Sequence, residues 1–304
     1  MKKIIIFSFL ILSTIAFGQQ RERDLELQSK LENLIKDFKG DVGVYVRHLK
    51  TGKEVAINAD TVFPTASIVK VPILIKIFDK IEKGELRYTD SLLYTKERIY
   101  GGSGLMQFYK DSTKTDLRTL VALMISYSDN VTSLWNQELA GGGEAINELM
   151  AEIGLEKTRV NSRTKNRDKD WEKYGWGQTT PREMASILVK IRKRELISAR
   201  ASEEMYRLLG NSFYQEYALS QIPPYVQAAA KQGMVNTSRS ELFLVNAPSG
   251  DYVCYIATKN NQDDSWEDDN QAWQLQRDIS ALLWDYYEPD YNWQPGENPG
   301  GLKY

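Results

Sequence analysis

One cysteine, Cys254, and one histidine, His48, are all that a chain of 304 residues has of either type. With a single thiol no internal disulfide can form. Cys254 lies in the strand-like run Tyr252-Val253-Cys254-Tyr255-Ile256 and reads as a buried structural thiol. No His/Cys cluster could build a zinc site, and no metal or other cofactor is expected. One histidine leaves little room for a Ser-His-Asp arrangement, so other ways of activating a nucleophile come first. The net charge is only −2, so no basic surface points to nucleic acid. After the first 18 residues no further long apolar run occurs. That first run, Ile4 to Phe17, follows Lys2 and Lys3 and ends in Ala16-Phe17-Gly18. It is expected to be a signal peptide over residues 1–18, cleaved before Gln19. No cysteine follows it to carry a lipid. The expectation is an exported protein, periplasmic or secreted, soluble, monomeric and without a stable membrane anchor.

What is present falls into an order. Residues 19–38 have helical spacing (Leu25, Leu27, Leu31, Leu34, Ile35). Val42–Leu49 and Glu54–Asn58 read as a hairpin around Lys50-Thr51-Gly52-Lys53. Helices are expected near 67–84, 116–126, 131–139, 143–153, 181–194 and 201–210. Strands are expected at 226–231, 241–246 and 252–258, and an amphipathic helix over 269–287. The polar, Trp- and Gly-punctuated stretch 156–178 reads as a long loop, a place where function concentrates. Strands at both ends of the chain can share one sheet. The fold class is therefore α/β of the α+β type: an antiparallel five-stranded sheet flanked by the terminal helices, with an inserted all-helical domain. The catalytic unit spans 19–287, its α/β part about 19–62 and 215–287 and its helical part about 63–214. An irregular tail fills 288–304. A small-molecule cleft belongs between the two parts.

Ser67 stands three residues before Lys70, at the mouth of the apolar run Val71-Pro72-Ile73-Leu74-Ile75. On a helix the two share a face. A hydroxyl becomes a competent nucleophile when a neighbouring base takes its proton, and an amine held in an apolar pocket can be that base. Two further signals follow: Ser128-Asp129-Asn130 after an apolar helix, and Lys231-Gln232-Gly233 at the end of a strand. Singly, each is an ordinary cap or strand end; their order and spacing together are specific.

S-x-x-K, then S-D-N, then a K-x-G triplet resembles the signature of class A serine β-lactamases and penicillin-binding proteins. Phe63-Pro64-Thr65-Ala66, Gly102-Ser103-Gly104-Leu105, Thr179-Thr180-Pro181 and the hairpin 42–53 extend the similarity to most of the chain, about Leu25 to Tyr287. The resemblance implies that Ser67 attacks a lactam carbonyl, assisted by Lys70, and that Ser128 relays a proton to the leaving nitrogen. It implies that Lys231 keeps that region electropositive and, with Arg239 as a weaker candidate, holds the substrate carboxylate. Asn130 would bind the substrate's side-chain amide, and the N–H groups of Ser67 and Met234 would form the oxyanion hole beside Gly233. The substrate would be a β-lactam or a D-Ala-D-Ala peptide.

Two departures qualify this. Gln232 stands where the family has Thr or Ser, which alters the carboxylate subsite. No E-x-x-L-N occurs between Glu156 and Pro181, and Thr164 falls where the family's water-activating glutamate belongs. Asp168, Asp170 and Glu172 are nearby carboxylates, but they alternate with Arg167, Lys169 and Lys173 as a solvated face would. The expected activity is a β-lactam-opening serine hydrolase whose deacylation is slow or non-standard. The alternatives are a D-Ala-D-Ala peptidase-like, penicillin-binding enzyme and a non-catalytic module that binds cell-wall peptides.

Overall fold

The computed structural model describes residues 22–296, so the expected signal segment and the last eight residues lie outside it. Five strands form an antiparallel sheet: β1 (Asp41–His48), β2 (Glu54–Ile57), β3 (Ala228–Val235), β4 (Ser238–Val245) and β5 (Tyr252–Lys259), in spatial order β2-β1-β5-β4-β3. Strand β3 is therefore an edge, and its free side borders the helical part. Side chains alternate across the sheet and feed two separate cores. Val44, Val46, Phe243, Val245, Cys254 and Ile256 pack with Leu27 and Leu31 of helix α1 (Leu25–Ile35) and with residues of the C-terminal helix Gln271–Tyr287. Tyr45, Leu242, Leu244, Val253 and Tyr255 pack on the other face against the helical region.

That region centres on α2 (Lys70–Glu82), in which Val71, Ile73, Leu74, Ile75, Ile77 and Phe78 are all buried. A helix apolar all round must be enclosed. It packs against α3 (Leu117–Ser126), α4 (Asn130–Leu139), α5 (Gly142–Glu152) and α8 (Ala199–Leu209); α6 (Asp168–Tyr174) and α7 (Pro181–Arg192) come between the last two in the chain, and α9 (Gln271–Tyr287) returns to the sheet. Short polar side chains set the helix starts. Asp24 caps α1 through the Leu27 N–H (3.1 Å), which sets the start of that helix at Leu25, the first residue of its leucine spacing. Asp116 caps α3, and Thr180 caps α7 with Pro181 in its first turn.

The stretch 156–178 is more ordered than a loop. Arg159–Val160, Gly177–Thr179 and Phe63–Pro64 form a small three-stranded ribbon, and α6 lies between the first two. Side chains from neighbouring helices impose this order. Glu183 accepts the N–H groups of Glu156, Lys157 and Thr158. Asn147 clamps both the N–H and the carbonyl of Val160. Neither clamp is visible in the local sequence. The described part of the tail has no regular structure, but Tyr291 packs edge-on against Trp284 at 5.9 Å. Cys254 is fully buried and burial pushes its thiol well up, as suits a structural residue. No helix among the described residues is long and apolar enough to cross a membrane.

Candidate active site

Ser67 sits in a tight 3-10 turn, Ala66–Val69, that runs directly into α2. In a 3-10 turn positions i and i+3 eclipse, which aligns Ser67 with Lys70 more closely than an α-turn would. The residue before the nucleophile, Ala66, has φ +43°, a strained left-handed conformation for a residue with a Cβ. It is held by the Thr65 N–H bonded to the Gly177 carbonyl (2.9 Å) and by β3 pressed against the turn. At Gly233 a Cβ would lie 2.3 Å from the Thr65 carbonyl oxygen, so only glycine lets the strand come so close.

Lys70 is fully buried. Its Nζ lies 2.9 Å from Ser67 Oγ, 2.6 Å from the Ser128 carbonyl, 3.1 Å from Ser128 Oγ and 3.0 Å from Asn130 Oδ1. The orientation of the Asn130 amide is set by its Nδ2, which donates to the Gly101 carbonyl (3.1 Å). These four partners suit either protonation state of the amine, because a hydroxyl can donate or accept. The carbonyl and Oδ1 can only accept. A neutral amine donates to those two and keeps a lone pair for a hydroxyl proton; an ammonium has three donors and no acceptor. Burial pushes the Lys70 amine well below its ordinary range, the neighbouring Lys231 pushes the same way, and Asp129 opposes. In its neutral form, which burial favours, an amine 2.9 Å from a serine hydroxyl can take that hydroxyl's proton.

Ser128 has φ +53° at the turn between α3 and α4, and its Oγ lies between two amines, Lys70 at 3.1 Å and Lys231 at 3.0 Å. Lys231 is also fully buried; burial brings its amine down to about 7, with Glu241 opposing. Its remaining contacts are the carbonyl of Gln232 (2.9 Å) and Gln232 Oε1 (3.4 Å). The glutamine amide thus leans toward the lysine. Asp129, between the two polar ends of its triplet, is structural: Oδ2 accepts from Leu105 N (2.6 Å) and Met106 N (2.7 Å), and Oδ1 caps α4. It fastens the loop 101–106 beside the site. Gly104, at φ +110°, passes so close that a Cβ would be 2.3 Å from Asp129 Oδ2.

Ser67, Lys70, Ser128, Asn130, Lys231 and Gln232 are thus brought together, with Gly233 and Met234 continuing the strand alongside. Arg239 is not part of this group, and its expected role in holding a carboxylate needs correction. Its side chain is buried, donates to the carbonyls of Asn236, Ser238 and Ser265, and lies over the rings of Trp266 (4.6 Å) and Trp273 (5.1 Å). A guanidinium enclosed by carbonyls and indoles is a structural clasp between β4 and the start of α9.

The three carboxylates Asp168, Asp170 and Glu172 lie together on α6. Asp168 and Glu172 are exposed, and Asp170 pairs with Arg167 at 3.1 Å. None of the hydrogen bonds of Ser67 or Lys70 among the described residues goes to a carboxylate. Thr164 is buried, and its hydroxyl donates to the Ser162 carbonyl (2.9 Å).

Trp176, which no motif in the sequence marks, lies with its ring centre 5.9 Å from Lys70 Nζ and edge-on to Tyr100 at 5.5 Å. Beyond it opens a cavity of about 540 Å3 whose walls include Tyr100, Leu134, Asp168 and Trp171. The only sequence signal for this wall was the tryptophan punctuation of 156–178.

The profile of the β-lactamase enzyme family matches residues 26–287. Among curated proteins the chain is similar to the β-lactamase VEB-1 of Pseudomonas aeruginosa, 20% identical over 94% of this chain and 98% of that protein. It also matches an imipenem-hydrolysing β-lactamase of Enterobacter cloacae, 27% identical over 52% of this chain and 53% of that protein. Among solved structures, PBP-A superposes with a TM-score of 0.79 at 24% identity, covering 88% of this chain and 98% of that one. A mutant of PBP-A solved as an acyl-enzyme complex with penicillin G gives the same values. At these identities the structural likeness concerns the fold.

Proposed function

The chain belongs to the β-lactamase enzyme family, and from that premise we propose that it is an exported serine hydrolase that opens β-lactam rings through an acyl-enzyme on Ser67. The observation that carries this reading is the Ser67 hydroxyl 2.9 Å from a fully buried Lys70 amine that burial pushes well below its ordinary range. As Ser67 Oγ attacks the lactam carbonyl, Lys70 takes its proton. The N–H groups of Ser67 and Met234 receive the developing oxyanion. The C–N bond then breaks, and the nitrogen takes a proton from Ser128, whose Oγ regains one from Lys70, now carrying the Ser67 proton, while Lys231 keeps its own on the other side. Lys231 and the Gln232 amide meet the substrate carboxylate.

Release of the acyl group is the slow half of this reaction. Water needs a base to attack the ester, and an indole, not a carboxylate, lies against Lys70. That placement favours long-lived acyl-enzyme, the behaviour of a penicillin-binding protein, as the second reading. Intact-protein mass spectrometry after mixing with benzylpenicillin tests both. The expected result is a gain equal to the mass of the penicillin that persists after free drug is removed and is absent from Ser67→Ala. No gain together with no hydrolysis refutes serine acylation; rapid hydrolysis without a persistent gain returns the protein to an efficient β-lactamase. Export rests on the basic and apolar residues 1–18, and secretion of a fusion carrying them tests it.

A further inference from the structure

Asn130, Leu134 and Glu138 stand at successive i, i+4 positions of α4, so they share one face of that helix. Asn130 holds Lys70 Nζ at 3.0 Å, Leu134 lines the cavity beyond Trp176, and Glu138 lines a second cavity of about 310 Å3. The two cavities meet, since Leu134 and Arg163 line both. At about 1.5 Å per residue, the face runs about 12 Å from Asn130 to Glu138. Aromatic rings accompany it: Tyr100, Trp171 and Trp176 in the first cavity and Trp135 in the second. Contacts from neighbouring helices hold the walls. The Gln137 amide donates to the Ser162 carbonyl (2.6 Å), and Glu144 accepts the Lys165 N–H (3.0 Å). At Gly143 a Cβ would lie 1.8 Å from Thr164 Oγ1, so α5 meets this turn through a glycine. In the second cavity Arg98 is committed to Glu138 (2.8 Å) and lies over the Trp135 ring (4.3 Å). Lys165 and Asp168 in the first cavity are opposite in sign, and Glu97 in the second is negative. Arg163, where the cavities join, is exposed and makes no ion pair or side-chain hydrogen bond among the described residues.

We propose that the joined cavities are a subsite for the distal part of the acyl group, and that they take an extended peptide carrying a carboxylate, which Arg163 receives at the junction. The inference rests on the acylation reading above and names the substrate class it serves. An extended chain covers about 3.3–3.6 Å per residue, so the 12 Å face corresponds to about three or four residues. The rings offer apolar area to the peptide's methylenes and planar amides, and a guanidinium without a partner matches a carboxylate fork to fork. Contacts this far from the reacting bond raise the acylation rate of long acyl groups and leave short ones unaffected.

The test uses three penicillins: benzylpenicillin, and 6-aminopenicillanic acid acylated with a tetrapeptide that has glutamate or glutamine as the second residue from the lactam. Second-order rates of Ser67 acylation are measured by mass spectrometry on the parent, Arg163→Asn and Arg163→Asp. Arg163 has φ +49°, a conformation that asparagine and aspartate tolerate. The parent is expected to acylate with both tetrapeptides faster than with benzylpenicillin, and to favour glutamate over glutamine by about two- to five-fold. That preference disappears in Arg163→Asn and inverts in Arg163→Asp, with the benzylpenicillin rate unchanged. No preference in the parent overturns the proposal, and so does an equal loss for all three compounds, the mark of a merely structural role. A second reading needs neither acylation nor a change at Arg163. In Ser67→Ala the indole N–H resonance of Trp135 shifts on adding the glutamate tetrapeptide compound and stays in place with benzylpenicillin; a resonance unmoved by both overturns the subsite. No adduct from any of the three compounds, with that shift intact, overturns the acylation reading instead.

Discussion

Replacing Lys70 with methionine keeps most of the side-chain volume and removes only the amine. The structure sets two opposing stability terms. The Ser128 carbonyl and Asn130 Oδ1 lose their donor, at about 1–3 kcal/mol for each acceptor left buried and unpaired. Against this, the fold no longer has to keep a polar amine dry, a relief of about 1–3 kcal/mol. The terms are comparable, so Lys70→Met is expected to fold, with a melting temperature near that of the parent. Activity has no such offset. Loss of a positioned general base slows proton transfer by about 100- to 10,000-fold. The assay is the second-order rate of Ser67 acylation by benzylpenicillin, followed by mass spectrometry under quench, alongside a thermal melt. A well-folded variant that acylates within about ten-fold of the parent would lie below the range for such catalysis and refute the assignment of Lys70 as the base.

Gly233→Ala places a methyl 2.3 Å from the Thr65 carbonyl. It is expected to cost about 1–3 kcal/mol by overpacking and to slow acylation by displacing the turn that carries Ser67, both measurable by denaturant titration and adduct formation. Asp129→Asn keeps the shape but weakens two charge-assisted bonds to Leu105 N and Met106 N; the loop 101–106 should become more susceptible to limited proteolysis, and unchanged resistance refutes that role. Trp176→Ala removes the indole over Lys70 and joins the site to the neighbouring cavity, so the acyl adduct should disappear faster than in the parent. The pH dependence of stability carries a definite sign. Glu241 is raised from 4.5 to about 8 on folding, so between those values the native state holds a proton that the unfolded state has lost. Its contribution is present in full below about 4.5 and lost as pH rises to about 8. The parent's stability should thus fall more steeply across that interval than that of Glu241→Gln; parallel curves refute it.

Much of the architecture was legible in the sequence because it follows from repeating local patterns. The spacing of Ile73, Leu74, Ile77 and Phe78 marks α2. The alternation through Val42–Val46 and Tyr252–Ile256 marks two strands of the sheet. The polar triplets stood out because Ser128-Asp129-Asn130 and Lys231-Gln232-Gly233 interrupt apolar segments at the points where those segments meet the cleft. Other features were not legible because they depend on residues far apart in the chain. The order within 156–178 comes from Asn147 and Glu183, which precede and follow it. Arg239 looked like a cleft residue by position on its strand, yet the indoles of Trp266 and Trp273 and the carbonyls after β5 supply a better-fitting enclosure for its guanidinium.

The sequence by itself determined which groups could do chemistry: one serine at i, one lysine at i+3, and two further polar triplets, in a chain too poor in histidine and cysteine for the common alternatives. It also determined that no E-x-x-L-N glutamate is available. Only the tertiary structure decided the states of those groups. Burial and a second lysine depress the Lys70 amine. The approach of Gly233 to Thr65 fixes the nucleophile's turn. Cross-strand register sets Glu241 behind Gln232, and packing brings the Trp176 ring centre within 5.9 Å of Lys70 Nζ. Residue type is local information, whereas protonation and orientation depend on the dielectric and on partners from distant segments, which exist only once the chain has folded.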